Sequence, residues 1–214
     1  MWTPINQDLN GSPSTSKHTL YFLTQSVNNW DLFKAICESR CIKTDFEIEL
    51  MRESVRITCE AHKYVMKHSE PGMCEFKFRE LFKLYCGLQG TTKLAYECIC
   101  GAGENGATLH YIVDDAEATD GKIILNDMGC IANGYCADVT CSFPVNGKFT
   151  EKQAEIYNAV LKSNLESMAM VKPGVVYSEI HKHSYKVVTE ELIKLGLITA
   201  DLDKAMELVN LSKK

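Results

Sequence analysis

The stretch ILNDMGCIANGYCADVTCSFP, residues 124–144, places the strongest constraint on how this chain folds. Two apolar, strand-like runs meet at Asn133 and Gly134, the dipeptide best suited to a two-residue type I′ hairpin turn, which needs φ > 0 at both central positions. Such a turn puts Ala132 opposite Tyr135. Counting back, Gly129 falls opposite Asp138 and Asp127 opposite Thr140. Asp127 and Asp138 then become diagonal neighbours on one face of the ladder, roughly 5 to 8 Å apart. A slip of one residue would separate them. Two carboxylates on one face of an apolar hairpin repel each other and lose hydration, so either one takes a proton or a cation sits between them. Oxygen ligands favour Mn²⁺, Mg²⁺ or Co²⁺ over thiophilic ions. Spacing alone leaves a second reading open, in which both aspartates are solvent-facing strand residues beside a turn.

Helical periodicity dominates the flanks. In residues 43–68, Ile48, Met51, Val55, Cys59, His62 and Met66 recur at spacings of three and four, and Thr44 with Glu47 forms a T-x-x-E capping box. This predicts a long amphipathic helix. Glu70-Pro71-Gly72 breaks it, and residues 74–90 supply a second helix that stops at glycine. After the hairpin the arrangement recurs: Thr150 and Gln153 cap a third helix to about Val171, residues 172–174 break it, and a fourth follows. A helix pair split by Pro-Gly therefore occurs twice, but the strands that follow the first pair have no counterpart after about residue 198. The pattern reads as one complete repeat and half of the next. Residues 19–25 read as a strand and residues 29–39 as a short helix.

At 214 residues, 45% apolar and 24% charged, the chain is long enough for one full-sized domain with a buried core. A net charge of −5 argues against nucleic acid as a partner, since binding phosphates calls for clustered Lys and Arg. No run of 18 apolar residues exists and the N-terminus lacks a secretory pattern, so the expected setting is the cytoplasm, without a membrane. The ten cysteines lie mostly in helix-like or strand-like runs, which suits reduced, buried thiols. Neither Cys37 with Cys41 nor Cys98 with Cys100 is matched by a second pair at zinc-site spacing.

Three runs, YECICGAGENGATLHY (96–111), DMGCIANGYCADVTCSFPVNGKFT (127–150) and KTDFEIELMR (43–52), together resemble the Xaa-Pro dipeptidases, or prolidases, of the pita-bread metallopeptidases. The resemblance spans about residues 37–198. It implies an α/β (α+β) class and a pita-bread fold, incomplete here, with helix pairs packed on a mostly antiparallel sheet. The implied divisions are 1–42 as the remnant of an N-terminal domain and its linker, 43–198 as a partial catalytic domain, and 199–214 as a divergent tail. It also implies that Asp127 and Asp138 are ligands of a dinuclear centre, most naturally manganese, and that His110 contacts substrate and steadies the transition state. Tyr96, Ile99 and His110 match positions lining the substrate pocket. Taken alone, His110 also reads as a structural histidine.

Complete relatives hydrolyse dipeptides with C-terminal proline and need three more ligands, a histidine in G-x-G-H and two glutamates, none of which these 214 residues supply. The loop from His110 to Asp127 is also shorter than usual for the family. His181 and His183 lie two apart on a predicted helix and point in different directions, as exposed helix residues rather than ligands. The expectation is a truncated prolidase with weak metal binding, little activity alone, and exposed apolar surface that favours a homodimer. A non-catalytic pita-bread binding or scaffold module is the alternative.

Overall fold

The computed structural model describes residues 29–211. Helix α1 (Asn29–Cys41) leads into α2 (Asp45–Lys67), whose capping box forms as expected: the Glu47 amide donates to Thr44 Oγ1 and the Thr44 amide donates to Glu47 Oε2 at 2.7 Å. The strand expected over 19–25 lies outside the described residues. Ile57, Ala61 and Val65, four apart, form the buried stripe of α2. A Pro-Gly turn, with Gly72 at φ 91°, reverses the chain through β1 (Met73–Cys74) into α3 (Glu75–Leu88). Phe78, Phe82 and Cys86 again repeat every four residues, and both phenylalanines are fully buried in the core with the α2 stripe. Each ring removed from water contributes roughly 1.5–3 kcal/mol.

These helices cover one face of a three-stranded antiparallel sheet in the order β2 (Ile99–Ala102), β4 (Ile123–Met128), β7 (Val139–Pro144). Strand β4 alternates strictly. Ile124, Asn126 and Met128 are buried, whereas Ile123, Leu125 and Asp127 are half-buried on the opposite face. The Asn133 and Gly134 turn has φ values of 52° and 85°, as a type I′ turn requires, and Asp127 lies opposite Thr140 and Ala132 opposite Tyr135. The expected register is therefore correct, but one continuous hairpin is not.

Beyond Met128 the ladder breaks and resumes as β5 (Ile131–Ala132) with β6 (Tyr135–Cys136), leaving Asp138 between β6 and β7. At the break the Ala137 amide still donates to Cys130 O at 3.0 Å, but the Cys130 amide turns to Thr58 Oγ1 on α2 at 3.2 Å instead of bonding across the hairpin. Residues 93–95 pair with 129–131, with the Ala95 amide donating to Gly129 O at 2.8 Å and the Ile131 amide to Lys93 O at 2.9 Å. Strand β3 (Glu117–Ala118), which pairs with β1, was not anticipated either.

Helix α4 (Glu151–Ala169) repeats the capping box at Thr150 and Gln153, and a second Pro-Gly turn, with Gly174 at φ 87°, joins it to α5 (Tyr177–Lys194). The two helices pack through Ala159, Ser163 and Val187 and are tied by Lys162 to Glu191 at 2.7 Å. Much of α4's remaining apolar surface is uncovered: Val160, Leu165 and Met168 are more than half exposed. Between this helix and the open face of β4 and β7 lies a groove of about 590 Å³. The tail forms α6 (Leu202–Leu211), which packs on α5. All described cysteines are free; Cys86, Cys98, Cys100 and Cys130 are buried, but Cys37, Cys41 and Cys136 are exposed, against the expectation of mostly buried thiols.

Candidate metal centre

A third segment alongside the hairpin builds the site. Residues 93–95 run beside 129–131 and deliver Tyr96 onto the face that carries both aspartates. Room for this exists because position 129 is glycine. A Cβ there would lie 1.8 Å from the Ala137 carbonyl oxygen and 3.2 Å from the Tyr96 ring. The Tyr96 hydroxyl hydrogen-bonds Asp127 Oδ1 and lies 3.0 Å from Asp138 Oδ1. Both carboxylates thus reach one oxygen atom, so those two carboxylate oxygens are no more than about 6 Å apart, twice an ordinary hydrogen-bond length.

A phenol carries one proton and can donate to only one carboxylate at a time. Burial first, and then the two aspartates, push the Tyr96 ionisation far above its usual range, so the group stays a neutral donor. Asp127 is half-buried and Asp138 exposed. Tyr96 therefore leaves most carboxylate lone pairs unfilled, with one oxygen of each acid beside the same hydroxyl. That is the chemistry of two ligands for a hard cation. Among the described residues no third His, Cys, Asp or Glu joins them, so the residues present fit part of a metal site.

Ile99 sits directly opposite Asp127 on β2 and is buried, which places its side chain on the carboxylate face. His110 is exposed in the turn after the short 3₁₀ helix Gly103–Ala107, at φ 54°, and it lies outside the hydrogen-bonded set of Tyr96, Asp127 and Asp138. His181 and His183 are engaged elsewhere. His181 packs edge-on against Tyr185 with ring centroids 4.6 Å apart, and His183 Nε2 is 3.0 Å from Glu166 Oε2 across the α4–α5 pair.

Two supporting residues escaped the sequence reading. His62, buried on α2, places Nε2 3.1 Å from the Met128 carbonyl and so holds the strand end beside Asp127; burial pushes its pKa below the usual value. Glu75, the first residue of α3, is fully buried. In the sequence Glu75 stands in MCEFKF as a charge at a helix start, with nothing local to mark it as buried.

Residues 49–206 match the model of metallopeptidase family M24. The Xaa-Pro dipeptidase of Mus musculus is 42% identical over 187 residues, covering 85% of this chain and 38% of that protein, and the Homo sapiens enzyme of the same name is 40% identical over 186 residues. Among solved structures, zinc-substituted Escherichia coli aminopeptidase P in complex with product matches at 35% identity and a TM-score of 0.77, covering 80% of this chain and 39% of that one. The low-pH form of the same enzyme matches at 36% identity and 0.78. The chain spans about two fifths of the length of these relatives.

Proposed function

The chain belongs to metallopeptidase family M24 and has its pita-bread fold, and from that premise we propose that it carries part of an Xaa-Pro dipeptidase centre, with Asp127 and Asp138 as ligands to a divalent metal, most naturally manganese. The observation that supports this reading is the single Tyr96 hydroxyl reaching both carboxylates, which shows the two acids to be close neighbours. A bound divalent cation supplies Lewis acidity that lowers the pKa of water into the neutral range. The chain's own residues do the rest. Asp127, fixed in β4 between β2 and β7, holds one side of the site, and Asp138, just outside the ladder, holds the other. Tyr96 keeps the pair together as a neutral donor. Ile99 lends an apolar wall to a dipeptide ending in proline, and His110 contacts that substrate from its loop.

Two carboxylates are a small share of the five ligands that the resemblance implies for a complete centre. Residues 1–214 therefore bind Mn²⁺ weakly and turn over Xaa-Pro dipeptides slowly as an isolated polypeptide. The uncovered apolar face of α4 and the groove beside it favour self-association, the homodimer being its simplest form. No helix of the described residues is long and apolar enough to cross a membrane. The test is proline release from Gly-Pro in the presence of Mn²⁺, where negligible turnover is expected. Robust metal-dependent turnover that disappears in Asp138→Ala would overturn the two-ligand account and require a second copy of the chain or other residues to complete the site.

A further inference from the structure

We infer that Glu75 is a positioning residue, a buried carboxylate that clamps the loop carrying His110; the functional side of this inference rests on the reading of His110 as a substrate contact. Glu75 is fully buried and forms no ion pair among the described residues. It is held entirely by donors. Oε1 accepts from the Ala102 amide at 2.7 Å and Asn105 Nδ2 at 3.0 Å, and Oε2 accepts from the Tyr111 hydroxyl at 2.7 Å and the Ala116 amide at 3.1 Å. Tyr111 is the residue next to His110, and the four donors span the loop from its entry at β2 to its exit before β3. Hydrogen bonds to a charged acceptor are the stronger kind, and four of them offset the cost of burying the carboxylate.

The first turn of α3 completes the clamp. The Glu75 amide donates to Ala116 O at 2.9 Å and the Phe76 amide to Asp114 O at 2.8 Å, so helix N–H groups that have no partner within the helix are satisfied by the loop itself. One turn on, Arg79 pairs with the buried Asp114 carboxylate. Two positions of this loop, His110 at φ 54° and Asp114 at φ 45°, hold a left-handed backbone that is disfavoured for residues with a Cβ. Such a conformation persists where its surroundings over-determine it. The side chain that meets the loop at four points is Glu75.

Glutamine is a sharp probe because it has the same shape. Turned one way, its NH₂ faces the Ala102 amide and Asn105; turned the other, it faces the Ala116 amide and Tyr111. Either orientation sets donor against donor. In Glu75→Gln, the amides of residues 102–116 are expected to exchange with solvent at least about tenfold faster, and the His110 ring signal in NMR to collapse toward its random-coil position. Val187→Ala, a core truncation in α5, controls for general destabilisation and is expected to move neither readout. A folded Glu75→Gln protein with unchanged loop exchange and an unchanged His110 signal would overturn the inference. If Glu75→Gln fails to fold, the double variant Asn105→Ala with Tyr111→Phe removes two donors and leaves the carboxylate its backbone partners; it must loosen the same loop, and an unchanged loop refutes the clamp. Added Mn²⁺ gives a separate readout. If resonances around Asp127 and Asp138 fail to broaden in the wild-type chain, the metal reading falls while the clamp is judged on loop exchange alone.

Discussion

Replacing Tyr96 by phenylalanine removes one oxygen atom, and that atom is the only hydrogen-bond link between Asp127 and Asp138 among the described residues. The ring remains to pack on Gly129, so the loss is confined to the hydroxyl. Hydrogen bonds to charged groups contribute about 1.5–3 kcal/mol. Asp138 is exposed and Asp127 only half-buried, so water recovers part of what the phenol gave. The lower end, about 1.5 kcal/mol, is therefore expected, which for a chain of this size lowers the melting temperature by roughly 3–6 °C. A double-mutant cycle isolates the cause. Combined with Asp127→Ala, the two changes should couple by about 1 kcal/mol, because each removes one end of the same bond. Thermal and urea unfolding of the four proteins without added metal supply the values. A Tyr96→Phe protein as stable as wild type, or a cycle that closes at zero, would show that the phenol does not gather the aspartates, and the geometric basis of the site would go with it.

Gly129→Ala should be worse than most core changes. Its Cβ would lie 1.8 Å from a backbone oxygen, so residues 128–138 would have to separate, and loss of cooperative unfolding is expected by circular dichroism; a well-folded variant would show that the backbones need not approach so closely. Acid should also weaken the fold through His62. Its folded pKa lies below 6.5, so the unfolded chain binds the extra proton, and stability falls as the pH drops below about 6.5, by at most about 1.4 kcal/mol per pH unit. Urea midpoints at pH 7.5 and 5.5 measure this, and His62→Gln should flatten the difference; an equal slope in the variant would assign the effect to other groups.

Local rules made much of this legible. Two capping boxes, two Pro-Gly breaks and one Asn-Gly turn each depend on a few neighbouring residues, and all five formed where the sequence placed them. The hairpin register followed from the turn, and with it the shared face of the aspartates. What the sequence did not reveal depended on distant partners. Residues 93–95 bring in Tyr96 by pairing with a segment more than 30 residues away, and Thr58 draws the Cys130 amide out of the hairpin from α2; no periodicity records either contact. Glu75 looked like an ordinary charge at a helix start because its four donors lie between residues 102 and 116. His110 rests on the resemblance alone. Its exposed ring carries no local signal that separates a substrate contact from a surface histidine.

The central claim is that Asp127 and Asp138 act together on one divalent cation. Calorimetric titration of the purified chain with Mn²⁺, beside Asp127→Ala and Asp138→Ala, tests it most directly. The account predicts weak saturable binding, with a dissociation constant on the order of 10⁻⁴ M or weaker, that either substitution abolishes. Binding of equal strength in all three proteins, or none in the wild-type chain at millimolar metal, would contradict it.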